Sequence, residues 1–121
     1  MIKQVYLICP VRGCSEDVKK QMDEYVDNLE KGDYCVHYPP RDVDQSGTAD
    51  EICQAHRDAM ELTDEVHAWW DPDSKGSHFD FGMAYAFAIL YNIKFVLAND
   101  PEQTPHKSYT NYFRELSERE E

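Results

Sequence analysis

Short apolar runs alternate with amphipathic segments along the whole chain, and this alternation limits the fold more than any other feature. The runs end at proline, glycine or polar residues, which is typical of buried strands. The predicted strands are residues 2–9, 34–38, 66–70 and 93–98. The predicted helices are residues 15–32, a segment from 48 or 50 to about 63, 77–91 and 109–119. Such alternation predicts an α/β fold, a small flavodoxin-like (Rossmann-like) parallel sheet of four to five strands with helices on both faces.

The chain length of 121 residues predicts one domain, residues 1–121, with a frayed acidic tail at residues 117–121. No apolar run reaches the roughly 20 residues that a membrane helix needs. The sequence starts directly with a strand rather than with a signal-peptide pattern. Cys9 and Cys35 lie in predicted buried strands, and none of the four cysteines forms a Cys-x-x-Cys pair. We therefore expect a cytoplasmic protein with reduced cysteines.

The net charge of −12 excludes a general nucleic-acid-binding protein, because there is no basic face to displace counterions from phosphates. An anionic small molecule would need a local positive field. Arg12, Lys75 and helix N-termini are the candidate sources of that field. His37, His67 and His78 share no metal-ligand spacing with the cysteines, so the sequence predicts neither a metal site nor a cofactor.

Unusual residues collect in the loops that follow the predicted strands. These loops are residues 10–15, 38–48, 71–77 and 99–104. In open parallel sheets, ligands bind beyond the carboxyl ends of the strands. The loops at the other edge are short and plain. The pattern therefore favours a binding site at the carboxyl edge over a purely structural domain.

A polar, glycine-containing loop leads into the third predicted helix, and Asp80 is predicted to lie in the first turn of that helix. Ser74, Gly76 and Ser77, with the first amides of the helix, would form a cradle for a phosphate group. Asp80 would then attack or stabilise a sugar carbon. An alternative remains open, since Ser77-x-x-Asp80 also approximates a capping box that would only start the helix.

Residues 5–13 (VYLICPVRG) and 74–84 (SKGSHFDFGMA) resemble the corresponding segments of the nucleoside 2-deoxyribosyltransferase-like superfamily. Within that superfamily, the 2′-deoxynucleoside 5′-monophosphate N-hydrolases are the most similar branch. The order of predicted elements agrees across nearly the whole chain, but only these two segments are specific. The resemblance implies a nucleoside 5′-monophosphate or nucleoside as substrate, cleavage or transfer at its N-glycosidic bond, and no cofactor.

The resemblance also assigns roles to individual residues. It implies that Arg12, Gly13, Ser74 and Gly76, with Ser77, hold the phosphate. The implied catalytic residues are Tyr6, as an active-site tyrosine, and Asp80, in the place of the nucleophilic glutamate. His56 lies where the family has an aspartate that positions the sugar.

Two of these positions depart from the family pattern. Asp80 is one methylene shorter than glutamate, and His56 replaces an aspartate. From the residues alone, His56 is also explained as a hydrogen-bonded, partly buried histidine. The alternative function is a non-catalytic nucleotide-binding or sensing module that retains the pocket. The base, the choice between ribose and deoxyribose, and the choice between hydrolase and transferase stay open.

The third predicted helix is apolar in every direction, from Phe79 to Tyr91. Packing against its own sheet can bury only part of that circumference. We therefore expect a homodimer through helix 77–91, which is also what the resemblance implies. Of Trp69 and Trp70 at the end of the third strand, one is expected in the core, and the other could stack on a base.

Overall fold

The computed structural model describes residues 1–102 and 108–118. Four strands form one parallel sheet in the order β2-β1-β3-β4. The strands are β1 (Lys3–Ile8), β2 (Tyr34–His37), β3 (Glu65–Ala68) and β4 (Lys94–Leu97). The helices are α1 (Glu16–Glu30), α2 (Pro39–Asp42), α3 (Ala49–Glu61), α4 (Lys75–Tyr91) and α5 (Tyr109–Ser117). The predicted α/β, Rossmann-like architecture is confirmed, and the sheet has four strands.

Helix starts follow local side-chain chemistry. The Ser15 hydroxyl accepts a hydrogen bond from the Val18 amide and so caps α1. Thr48 and Glu51 form a full capping box at the start of α3. Such caps satisfy amides that have no partner within the helix, and each contributes ~1 kcal/mol. The predicted starts of these two helices are therefore confirmed.

Side chains of β1 alternate between the two faces of the sheet, and each face has its own core. Val5 and Leu7 pack with α1, where Met22 and Val26 are fully buried. The other face of the sheet packs against α3, α4 and α5. Its buried residues include Tyr6, Ile8, Met60, Val66, Trp70, Phe81, Phe95 and Phe113. Because burial of one large apolar side chain is worth ~1.5–3 kcal/mol, these two cores hold the layers together.

The order in which strands are added to the sheet changes direction at β1, because β2 pairs with one side of β1 and β3 with the other. After β2, the chain runs through α2 and α3 and returns past β1 to form β3. The carboxyl ends of β1 and β3 therefore lie side by side at the switch point of the sheet, where open α/β folds usually bind ligands.

Several details differ from the sequence prediction. Residues 39–42 form the short helix α2, because two prolines pre-set the backbone angle of a first helical turn. β2 ends at His37 rather than at residue 38. The prediction that Cys35 is buried was wrong, because β2 is an edge strand and this side chain is exposed.

The predicted loop 99–104 and the predicted tail 117–121 lie partly outside the described residues, which omit 103–107 and 119–121. In the described parts of the chain, no helix combines the length and the apolar composition that crossing a membrane would require.

Candidate functional site

Asp80 lies in the second turn of α4, because the helix begins earlier than predicted. Ser74 is the N-cap, and its hydroxyl accepts a hydrogen bond from the Ser77 amide at 3.2 Å. α4 then starts at Lys75 and has no acidic residue in its first turn. The alternative interpretation of Asp80 as part of a capping box was therefore wrong. The carboxyl group has no capping role, and residue Asp80 is 4% exposed.

Two side chains from other elements hold the Asp80 carboxylate. The Tyr6 hydroxyl, from the middle of β1, donates a hydrogen bond to Oδ2 at 2.9 Å. Nδ1 of His56, from α3, lies 3.0 Å from Oδ1. An ionised carboxylate only accepts hydrogen bonds, so this contact assigns the hydrogen to Nδ1 of His56. The structure thus brings together three of the predicted site residues.

The electrostatics of this group keep Tyr6 protonated. Burial, followed by the nearby Asp80 charge and the hydrogen bond to it, raises the pKa of Tyr6 far above its usual value. The phenol is therefore a permanent donor at neutral pH. It orients Asp80 and does not exchange protons with it.

His37 is a member of this cluster that the sequence analysis did not recognise. Its ring stacks on the Tyr6 ring with centroids 5.1 Å apart and meets the His56 ring edge-on at 6.4 Å. Burial is the largest cause of a lowered pKa of His37, so the ring is neutral at pH 7. The sequence did contain a signal for this role, because His37 lies near the end of the second predicted strand. β2 pairs with β1, and this pairing places His37 beside Tyr6.

Two ring nitrogens in the cluster are buried without a protein partner. Nε2 of His37 and Nε2 of His56 are enclosed, yet neither has a hydrogen-bond partner among the described residues. A buried polar atom without a partner costs ~1–3 kcal/mol, so such atoms in native folds usually have a role.

Ser74, Gly76 and Ser77, the residues of the predicted phosphate cradle, lie together at the start of α4. The Ser77 side chain is fully buried, and its hydroxyl donates to the Ser74 hydroxyl at 2.9 Å. Gly76 is exposed, and a Cβ added there would meet no atom within 4 Å. The amides of a helix N-terminus favour anions, and the phosphate cradle stays a prediction.

Arg12 and Gly13 form the exposed loop after β1. Gly13 has φ +78°, a left-handed conformation that glycine adopts without steric cost. No hydrogen bond or ion pair joins Arg12 to another residue in the described ranges. The structure therefore leaves this guanidinium available, but it shows no contact between it and the start of α4.

A separate cavity of about 600 Å³ lies at the carboxyl edge of the sheet. Its walls come from the loops that follow β1, β3 and β4, and they include Gly13, Trp69, Asp71 and Asn99. This volume is within the usual range for small-molecule sites. The cavity shares Gly13 with the predicted site, whereas Ser74 and Asp80 are not in its lining. Trp70 is in the core and Trp69 is only half-buried, as expected for this pair.

Within residues 1–102 and 108–118, no group of three or more histidine, cysteine, aspartate or glutamate side chains is arranged to hold a metal ion. The group around Asp80 combines a carboxylate, a phenol and two imidazoles.

The fold places the chain among Rossmann-like α/β proteins with a parallel sheet. Among solved structures, it is similar to the CMP N-glycosidase of Clostridium botulinum, with a TM-score of 0.63 and 21% sequence identity. The match covers 95% of this chain and 83% of the other. At this identity, the likeness shows a shared fold. No protein-family model matches the chain, and no curated protein matches it in sequence.

Proposed function

We propose that this protein is an N-glycosidase that cleaves the N-glycosidic bond of a nucleoside 5′-monophosphate. The observation that carries the proposal is the buried Asp80 carboxylate, held by Tyr6 at 2.9 Å and His56 at 3.0 Å. The similar fold of a CMP N-glycosidase supports it, because the same architecture supports that reaction in another chain. The likeness concerns fold alone, so the site must carry the argument.

The chemistry required by this reaction matches the charge of the cluster. Breaking the bond between C1′ and the base develops positive charge on the sugar, as in other glycoside cleavages. Asp80 supplies the fixed negative charge that stabilises this state. Tyr6 holds the carboxylate in one orientation, so little reorganisation is needed during the reaction.

The substrate's phosphate would bind at the start of α4. Ser74 and Gly76 lie there with the helix amides, and the Ser77 hydroxyl donates a hydrogen bond to the Ser74 hydroxyl. Arg12 and Gly13, from the loop after β1, would add a guanidinium and an unobstructed backbone. On a chain of net charge −12, such a local positive region decides where a dianion can bind.

A non-catalytic nucleotide-binding module is the second candidate function. It is favoured by the engagement of both Asp80 oxygens and by the 5% exposure of the Asp80 side chain. Such a module would bind the same nucleotides and leave their glycosidic bonds intact.

The test is incubation with the ribonucleoside and 2′-deoxyribonucleoside 5′-monophosphates, with free base measured by chromatography. We expect release of base from at least one nucleotide, and loss of that release in Asp80→Asn, which keeps the size of the side chain. Asp58→Asn is the matched control, since Asp58 is an exposed acid on α3. Thermal stabilisation by a nucleotide without release of base would instead favour the binding module.

We also propose that the protein is a homodimer through helix 77–91. Large apolar side chains of α4 remain exposed in the single chain, among them Phe79, Ile89, Leu90 and Tyr91. A groove of about 360 Å³ between α4 and α5 continues this surface and is lined by Phe79, Tyr85 and Tyr109. An apolar surface of this extent usually marks an interface. Sedimentation at micromolar concentration measures whether the protein is a monomer or a dimer.

A further inference from the structure

The contact between His56 and Asp80 allows two routes for the proposed reaction. Asp80 can attack C1′ itself and form a glycosyl-enzyme ester. Alternatively, Asp80 can hold His56 in place while His56 activates water. The two routes differ in outcome, because the first creates an intermediate that another base can intercept and the second does not.

We infer that His56 is the general base that activates the attacking water, and that Asp80 positions it. This inference rests on the proposed function and specifies its mechanism. The activity would then be hydrolysis by direct displacement, without transfer to a second base.

The hydrogen-bond pattern of His56 supports this assignment. Nδ1 faces the Asp80 carboxylate at 3.0 Å and therefore carries the hydrogen of the neutral ring. Nε2 then has a free lone pair, and it has no hydrogen-bond partner among the described residues. A ring oriented by a carboxylate at one nitrogen, with the other nitrogen free, is the arrangement of a general base.

The Asp80 carboxylate is placed less well for direct attack. Both of its oxygens accept hydrogen bonds, one from Tyr6 and one from His56, and these bonds reduce the nucleophilicity of both oxygens. The side chain is 5% exposed, against 12% for His56. His56 is therefore the more exposed side chain of the pair, and its unpartnered Nε2 is enclosed.

His37 places a second unpartnered nitrogen beside His56. The planes of the two rings are 75° apart, their centroids are 6.4 Å apart, and Nε2 of His37 also lacks a partner in the described part of the chain. A water molecule bonded to either nitrogen would satisfy a buried polar atom that the protein itself leaves unpaired.

The reaction balances with water as the only co-reactant. Nε2 of His56 takes a proton from water as the water oxygen bonds to C1′. The bond from C1′ to the base breaks, and its electron pair leaves with the base, which takes up a proton from solvent. The imidazolium then returns its proton to solvent. The products are free base and a pentose 5-phosphate whose configuration at C1′ is inverted.

One substitution of His56 distinguishes a general base from a residue that only fills space. In His56→Asn, the amide nitrogen takes the place of Nδ1 and still donates to Asp80, but no atom replaces Nε2. We expect kcat to fall at least ~100-fold with little change in KM or melting temperature, since general bases contribute ~10²–10⁴-fold. Wild-type kcat in this variant would overturn the inference.

Asp80→Glu gives a second and independent comparison. The longer carboxylate moves away from the position that orients Nδ1, so kcat should fall. A higher kcat in Asp80→Glu would instead indicate direct attack by the carboxylate and would overturn the inference.

The decisive experiment follows the nucleotide of the panel that is cleaved fastest, using proton NMR at early times and radiolabelled free base in the mixture. We expect the α-anomer of the pentose 5-phosphate first and no label in the nucleotide. The β-anomer first, or base exchange, would overturn the role of His56 and leave the glycosidase intact. Absence of base release from every nucleotide would overturn the proposed function itself, and this inference with it.

Discussion

His56 and Asp80 join α3 to α4 through one contact of 3.0 Å between Nδ1 and Oδ1. The two residues lie on different helices, and Tyr6, on strand β1, donates a hydrogen bond to the same carboxylate. A polar cluster of this kind, inside the core that α3 and α4 form on β1, stabilises one arrangement of these elements only if its hydrogen bonds are satisfied. Its consequences can be measured in stability as well as in activity.

Tyr6→Phe removes the phenol hydroxyl and leaves Oδ2 of Asp80 without its donor. Because the carboxylate is buried, we expect a loss of ~1–3 kcal/mol in the free energy of unfolding. Urea denaturation measures this loss. Tyr34→Phe, on the edge strand β2, is the matched control and should change stability little, because the Tyr34 hydroxyl makes no hydrogen bond to another described residue. Equal effects of the two substitutions would contradict the structural role of the Tyr6 hydroxyl.

The stability of the protein should fall as pH decreases below about 6.5, where an ordinary histidine binds a proton. Burial lowers the pKa of His37 and of His67 from 6.5. The unfolded chain therefore binds protons at a higher pH than the folded chain, and the free energy of unfolding is greatest above pH 6.5.

Urea denaturation between pH 5 and 7 tests this dependence. In His37→Gln, the slope of unfolding free energy against pH should be shallower than in the wild type, because one buried titrating ring is lost. An unchanged slope would show that His37 contributes nothing to it. Carboxylates titrate in both proteins, so the difference between the two slopes reports the loss of the His37 ring.

Ser74→Ala removes the cap of α4, and Ser15→Ala removes the equivalent cap of α1. Each should reduce the free energy of unfolding by ~1 kcal/mol. The proposed phosphate site adds a difference between them, because only Ser74→Ala should raise KM for the nucleotide. A KM that rises in both variants, or in neither, would argue against a phosphate at the start of α4.

Leu90→Glu places a charge in the exposed apolar surface of α4, where Leu90 is 71% exposed. If this surface is the dimer interface, sedimentation should show a dimer for the wild type and a monomer for the variant. Lys20→Glu, on the exposed side of α1, is the control and should leave the dimer intact. A wild-type monomer at micromolar concentration would remove the dimer proposal.

Glu65→Ala tests the polar network on the other face of the sheet. Glu65 is buried, and its carboxylate contacts His67 Nε2 at 2.9 Å and Lys3 Nζ at 3.2 Å. Removing it leaves the buried imidazole without this partner, so we expect a loss of ~1–3 kcal/mol in unfolding free energy. Lys3→Ala should change stability little, because its ammonium group is exposed to solvent. The reverse order of effects would contradict this account.

The alternation of the sequence was enough to predict the layers of the fold. The periods of two and 3.6 residues are local properties, and they assign Val5 and Leu7 to one face of β1 and Met22 and Val26 to one face of α1. Helix starts were predictable where one cap stands alone, as at Ser15. At α4 the predicted start at Ser77 was wrong, because Ser74 caps the helix and α4 begins at Lys75.

Sequence alone determined the order of the four strands and of α1, α3, α4 and α5, because hydrophobic periodicity acts over a few neighbouring residues. Only the tertiary structure decided that His56 Nδ1 meets Asp80, that Tyr6 donates to the same carboxylate, and that His37 stacks beside them. Those contacts join β1, β2, α3 and α4 across 24 to 74 positions of the chain. They depend on how α3 and α4 pack on β1, a relation that no local pattern contains.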